Sequence, residues 1–225
     1  MNRSELIPGK VAALIGAAFV ALMFVSLGWY SAPRSVSDAE LVTWWSDSAH
    51  QRDVVISIYA DVLGGIAFLV FLTALRSRLA AAEGGNAPWS SLVFAMGVVF
   101  VGLLFAAGAP RGVIALAAKM SDEPLPGPDM LRYLPQIAYT AVGLFGGCIV
   151  AASIALTSML ILKYGGLGRW LGWVGLVAAV GIAVLAATIG AIFFPVLFVW
   201  VLAASVALWR APAAVRLAGL VPSPA

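Results

Sequence analysis

Residues 53–78 read DVVISIYADVLGGIAFLVFLTALRSR, an apolar run with one acidic residue, Asp61, well inside it. About 20 consecutive apolar residues are enough to cross the hydrocarbon core of a bilayer. Several other runs of similar length lie on either side of this one. The sequence therefore predicts an integral membrane protein.

The composition agrees with that prediction. Of the 225 residues, 63% are hydrophobic and 10% are charged, whereas a soluble domain carries about 25% charged residues. The net charge of +3 comes from basic residues in short loops between apolar runs, which is typical of membrane orientation rather than of nucleic-acid binding. The single cysteine, Cys148, excludes an intrachain disulfide framework.

Six transmembrane helices are predicted, and they form one all-α domain over residues 1–210. A short cytoplasmic tail, residues 211–225, follows this domain. The spans are about residues 11–30, 53–75, 90–109, 135–162, 170–189 and 193–209. The first run is longer than the roughly 7–15 apolar residues of a signal peptide, so we expect an uncleaved helix. The third span is expected to end near Pro110, because a helix continued past that proline would be oversized.

Two loops are predicted on the outer side. Residues 37–53, SDAELVTWWSDSAHQRD, favour a short interfacial helix capped by Ser37 or Asp38, with Leu41, Trp44 and Trp45 on one side. Residues 121–134, with three prolines and three acidic residues, are predicted to be a loop without a helix.

The distribution of cations predicts cytoplasmic termini. The terminal side carries eight cationic residues against five on the other side, and most acidic residues lie opposite the termini. The eight are Arg3, Lys10, Arg76, Arg78, Lys163, Arg169, Arg210 and Arg216.

Asp61 is the first candidate site residue. A charged carboxylate at the centre of a membrane helix costs roughly 2.5–3.5 kcal/mol, so Asp61 should face other helices or a wet cavity. Ser57, Asp61 and Gly64 share one helix face, and Asp61 lies about 12 Å below Asp53 by helix rise. It is either a proton, cation or substrate site, or a buried group that joins two helices.

Arg111 is the candidate partner of Asp61. An ion pair would keep the carboxylate charged, whereas the alternative places Arg111 at the outer headgroups. Further polar side chains near the outer helix ends are candidates to line a pocket with this pair: Ser57, Tyr59, Gln136 and Tyr139.

Small residues predict close helix contacts. Gly143, Gly147, Ala151 and Ala155 follow one another at four-residue spacing, a pattern that lets membrane helices approach within one chain or in a dimer. Gly64 is expected to allow the same kind of close contact in the second span.

The sequence contains a single histidine, His50. One histidine does not supply enough ligands for a haem or a di-metal site. We therefore expect no metal, no cofactor and no catalytic residue.

The chain resembles a group of uncharacterised bacterial, mainly actinobacterial, six-helix membrane proteins of a domain-of-unknown-function family. The resemblance rests on Asp61 followed by LRSRL (residues 75–79), on LKYGGLGRWLGWVGL (162–176) and on FFPVLFVWVL (193–202). It implies the topology and a place in the bacterial cytoplasmic membrane, and no activity.

Two classes of function follow, and a third, a membrane enzyme, has no visible nucleophile–base pair or metal cluster to support it. The first is a non-enzymatic structural or accessory component, or a binder of a hydrophobic molecule. The alternative is a small secondary transporter or channel that uses Asp61 as its ionisable site. Expected partners are membrane lipids, other membrane subunits or a second copy of the chain.

Overall fold

The computed structural model describes residues 7–29, 33, 36–84, 86–120, 124–188 and 191–210, and all regular structure in these ranges is helical. The helices are α1 (Gly9–Trp29), α2 (Asp38–Ser46), α3 (Ser48–Glu83), α4 (Pro88–Met120), α5 (Pro128–Tyr139), α6 (Gly147–Tyr164), α7 (Arg169–Thr188) and α8 (Phe194–Arg210). A π-helical segment, Thr140–Gly146, joins α5 to α6, and a 3-10 turn, Ala191–Phe193, precedes α8.

Five helical units of the described chain are long and apolar enough to cross a membrane. They are α1, α3, α4, the continuous unit Pro128–Tyr164 and α7, and α8 is a shorter apolar helix. The prediction of an all-α, multi-pass membrane protein is confirmed at this level. The predicted tail, residues 211–225, lies outside the described residues.

The predicted end of the third span at Pro110 is wrong, because α4 continues through this proline to Met120. Proline removes one hydrogen bond from a helix interior and favours a kink. Packing on both sides of the proline compensates, since Ala107 and Ile114 are both buried. Tertiary contacts therefore override the local preference to end the helix.

The predicted loop over residues 121–134 is also wrong in its second half, where α5 begins. Pro128 occupies the first helical position, where its missing N–H is not needed and its fixed φ angle suits the helix. Pro135 lies inside α5. The proline content that indicated a loop thus includes a helix-starting residue.

The long helices form a closed ring. Around it, α1 packs on α3, α3 on α4, α4 on α6, α6 on α7, α7 on α8, and α8 packs back on α1. The two neighbours of α1 in the ring are therefore α3, the next long helix in sequence, and α8, the last helix.

Most of the buried apolar side chains among the described residues fall into two clusters. The core cluster fills the ring and includes Phe19, Phe68, Phe100 and Leu197. The cap cluster joins α2 and α5 to the start of α3 and the end of α4; its buried members are Leu41, Trp45, Val54, Ile114, Ala115 and Leu131.

Of the two N-caps that the sequence predicts for α2, Ser37 and Asp38, the structure has Ser37. The Ser37 hydroxyl accepts a hydrogen bond from the Glu40 backbone N–H, and the Glu40 carboxylate accepts one from the Ser37 backbone N–H, which together make a capping box. Leu41 and Trp45 are buried on one side of the helix. Trp44 stacks on His50, with ring centres 4.5 Å apart.

Candidate functional site

Asp61 lies on the buried face of α3. Ser57, Asp61, Gly64 and Phe68, which follow one another at helical spacing, are all buried there, and Asp61 is 3% exposed. Residues three and four apart share a helix face, so the polar face seen in the sequence is turned towards neighbouring helices.

Both oxygens of the Asp61 carboxylate accept hydrogen bonds from side chains of other helices. Ser26 of α1 donates to Oδ1 at 2.5 Å, and the Nη2 atom of Arg111 in α4 donates to Oδ2 at 2.7 Å. The group Ser26–Asp61–Arg111 therefore connects three consecutive helices of the ring.

This group lies at the boundary between the two apolar clusters. On α3, Ile58 packs against the cap cluster and Phe68 belongs to the core cluster. On α4, Ala107 belongs to the core cluster and Ile114 to the cap cluster. In sequence, Asp61 lies between Ile58 and Phe68, and Arg111 lies between Ala107 and Ile114. The ion pair is therefore located between the core cluster and the cap cluster.

Small residues beside the group let the helices approach closely. A Cβ added at Gly64 would lie 3.2 Å from Met23 Sδ of α1. On the other side, a Cβ added at Gly112 would lie 3.3 Å from Ile58 Cδ1. Both contacts are tight, so glycine at these positions brings α1 and α4 within hydrogen-bonding reach of Asp61.

The ion pair is sparingly exposed, with 4% of the Asp61 side chain and 10% of the Arg111 side chain accessible. Removing two charges from water costs several kcal/mol for each ion, and attraction offsets that cost only when the geometry is good and further hydrogen bonds are made. The hydrogen bond from Ser26 supplies one of these. Because the two charges cancel, the group adds no net charge to the apolar interior.

Other predicted site residues do not join this group. Ser57 donates to the Val54 carbonyl of its own helix at 2.7 Å, one turn from Asp61. Tyr59 is 66% exposed, Gln136 is exposed and Tyr139 is half-buried. The structure brings together Asp61 and Arg111 and leaves Tyr59 and Gln136 on exposed surfaces.

The predicted packing residues lie at helix contacts within the chain. A Cβ added at Gly147 would lie 2.5 Å from the Ala186 Cβ of α7, and one at Gly146 would lie 3.3 Å from Phe100 of α4. Ala151 and Gly143 are buried. Because Gly143 lies in the π-helical segment, the four-residue spacing does not continue as one straight α-helical ridge.

Ser26 is the site residue that sequence reasoning missed. It is the one hydroxyl-bearing residue between positions 11 and 28, which was a usable signal, because a lone polar side chain in a membrane helix tends to face another polar group. Cys148, the single cysteine, lies on an exposed face of α6.

The described residues hold no group of three or more His, Cys, Asp or Glu side chains arranged to bind a metal ion. Comparison of the chain with family models, with curated proteins and with solved structures gives no match.

Proposed function

We propose that this chain is a non-enzymatic multi-pass membrane protein, a structural or accessory component or a binder of a hydrophobic molecule, in which Ser26–Asp61–Arg111 joins α1, α3 and α4. The observation that carries the proposal is that Asp61 is buried with both carboxylate oxygens hydrogen-bonded to protein side chains. A carboxylate so engaged connects the three helices and makes their packing depend on one another. An ion-carrying carboxylate must instead exchange its partner with water or with the transported ion.

The same proposal includes the topology. The sixth span is α8, whose 17 residues lie at the lower end of the range that crosses a bilayer, about 17–25. With six spans and the excess of cations beside the termini, both termini are cytoplasmic. The helix α2 lies in the outer interface, and the membrane is the bacterial cytoplasmic membrane that the resemblance implies.

A secondary transporter or channel is the second candidate, and Pro110 favours it. This proline directly precedes Arg111 inside α4 and interrupts the helical hydrogen bonding there. A hinge at Pro110 would let Arg111 move away from Asp61, much as interrupted helices form the ion sites of known transporters.

The experiment compares wild type, Asp61→Asn and the control Asp53→Asn, each purified and reconstituted in vesicles that contain a trapped pH-sensitive dye. Asp53 is a suitable control because it lies on the same helix and pairs with Arg52 at 3.5 Å in a more exposed setting. Thermal unfolding and dye response to an imposed pH gradient are measured on the same preparations.

The structural proposal expects Asp61→Asn to lower thermal stability far more than Asp53→Asn. It also expects wild-type vesicles to pass protons no faster than protein-free vesicles. A proton flux that wild type supports and a folded, stable Asp61→Asn protein lacks would overturn the proposal in favour of the transporter.

A further inference from the structure

Within the described residues, six cations lie at the end of the bundle that carries Gly9 and Arg210, and we call this end the basic end: Lys10, Arg76, Arg78, Lys163, Arg169 and Arg210. Three contacts show that these helix ends meet. Gly9 of α1 lies against the Leu208 carbonyl of α8. Arg76 of α3 donates to Ser91 at the start of α4 at 3.1 Å. A Cβ added at Gly166, between α6 and α7, would lie 3.5 Å from the Arg78 carbonyl.

Glu83 is the one acidic residue at the basic end within the described part of the chain. Its carboxylate accepts hydrogen bonds from the Trp89 and Ser90 backbone N–H groups at 3.0 and 2.9 Å, so it is engaged at the start of α4. The opposite end has a reversed balance over the residues whose side chains are described, with Arg52 and Arg132 against Asp38, Glu40, Asp47, Asp53 and Asp129.

Exposed indoles surround the cations of the basic end. Trp89, Trp170, Trp173 and Trp209 are each between 46% and 62% exposed. Lys10 Nζ lies 5.6 Å from the centre of the Trp209 ring. Tryptophan concentrates at the level of lipid headgroups, so these indoles put the neighbouring cations at the depth of the phosphates.

The cations come from different helices and converge. A Cβ added at Gly9 would lie 3.5 Å from Arg78 Nη2, so Arg78 of α3 approaches the start of α1, beside Lys10. Lys163 and Arg169 flank the turn between α6 and α7, where Gly165 and Gly166 have φ angles of 79° and 84°. That turn is held against the segment of α3 that carries Arg78.

We infer that the basic end binds the headgroups of anionic phospholipids in the adjoining leaflet. A headgroup with a net negative charge complements the excess of cations over acidic residues among the described residues of the basic end, whereas a zwitterionic headgroup does not. Each lysine or arginine near an anionic membrane surface strengthens binding by roughly fivefold. This inference rests on the proposed membrane topology and is independent of the role of Asp61.

The test uses the full chain in phosphatidylcholine vesicles that contain phosphatidylglycerol. Bromine, which quenches tryptophan fluorescence on contact, is placed on the acyl chains of one lipid or of the other in separate preparations. The ratio of quenching reports the preference of the protein for the anionic lipid. Two exposed pairs are neutralised separately, Lys10→Gln with Arg210→Gln and Lys163→Gln with Arg169→Gln, and the control is Arg52→Gln with Arg132→Gln at the opposite end.

We expect wild type to prefer phosphatidylglycerol severalfold, with the preference falling in high salt because salt screens exposed charges. Each variant pair at the basic end should lose a large part of the preference, and the control pair should keep it. Circular dichroism checks that the helix content of each variant is unchanged. The salt dependence of the lipid preference is measured on wild type and tests the inference even if a variant fails to fold. Equal quenching by the two lipids in wild type, or a loss of preference confined to the control pair, would overturn the inference. Neither result would bear on the Asp61 experiment.

Discussion

Two ion pairs of almost the same length lie in different surroundings in this protein. Arg111 and Asp61 are 2.7 Å apart between α4 and α3, with 10% and 4% of their side chains exposed. Arg132 and Asp38 are 2.8 Å apart between α5 and α2, with 31% and 66% exposed. The same two chemical groups thus pair in the buried interior of the bundle in one case and at the surface of the cap in the other.

The difference shows that burial, and not distance, decides what an ion pair contributes. Loss of one partner from a buried pair leaves an uncompensated charge and costs about 3–5 kcal/mol. An exposed pair contributes about 0.2–1 kcal/mol, because water and salt screen it and two long side chains lose freedom. The buried pair therefore makes α3 and α4 depend on each other, whereas the exposed pair adds little to the contact of α5 with α2.

The largest effect is expected for Arg111→Met. This change leaves Asp61 buried with Ser26 as its remaining described partner, and we expect the free energy of unfolding to fall by about 3–5 kcal/mol. The measurement is denaturant unfolding in detergent micelles, followed by circular dichroism. Arg132→Met is the matched control from the exposed pair, and an equal loss in both variants would remove the distinction.

The double variant Asp61→Leu with Arg111→Met sharpens the comparison. Replacing a whole buried ion pair by apolar side chains is often neutral or stabilising, so we expect the double variant to recover most of the stability that Arg111→Met loses. A double variant no more stable than Arg111→Met would contradict this expectation, because it would show that the uncompensated charge of Asp61 is not the source of the loss.

Ser26→Ala should have the next largest effect. It removes the 2.5 Å hydrogen bond to Asp61 Oδ1, and a hydrogen bond to a charged group contributes about 1.5–3 kcal/mol. The unfolding experiment above measures the loss, with Ser77→Ala as control, because Ser77 donates to a carbonyl of its own helix near the basic end. If the two serine variants unfold alike, Ser26 has no special part in the buried group.

Ser37→Ala tests the contribution of the capping box to the stability of α2. It removes the N-cap of α2, for which the usual cost is about 1 kcal/mol, and we expect the loss to be local. Hydrogen exchange should show faster exchange in α2 and unchanged exchange at Asp61 and Arg111. Ser46→Ala is the control at the other end of α2, where the hydroxyl donates to the Val42 carbonyl.

The capping box also predicts a pH dependence. The Ser37 backbone N–H, and then its hydroxyl, donate to Glu40 and lower the pKa of that carboxyl below its usual value. A lowered pKa means that the stabilisation is present above the unfolded-state pKa and is lost as the pH falls through the folded-state pKa. Acidification should therefore change the Trp44 and Trp45 fluorescence of wild type by a component that Glu40→Gln lacks. Identical acid titrations of the two proteins would exclude Glu40 as a source.

Arg132→Met should have the smallest effect of the series. It removes the exposed pair with Asp38 and the hydrogen bond to the Val36 carbonyl, and we expect a loss of less than about 1 kcal/mol. Raising the salt concentration should reduce the difference from wild type further. A loss comparable to that of Arg111→Met would show that the cap pair is energetically equivalent to the buried one.

The sequence by itself determined the class of protein, because the length of an apolar run follows directly from the thickness of a bilayer. It also determined the buried face of α3 and the start of α2. Helical spacing places Ser57, Asp61 and Gly64 together, and a capping residue at Ser37 or Asp38 is a local signal that needs no distant residue.

Tertiary structure alone decided which groups meet Asp61 and where α4 ends. Ser26 and Arg111 are 35 and 50 positions from Asp61 along the chain, so no local pattern fixes their contact. Pro110 favours a helix end locally, yet packing of Ala107 and Ile114 on the two apolar clusters keeps α4 continuous. Such contacts depend on how the helices pack in the ring, and that packing depends on the shapes of all the facing side chains together.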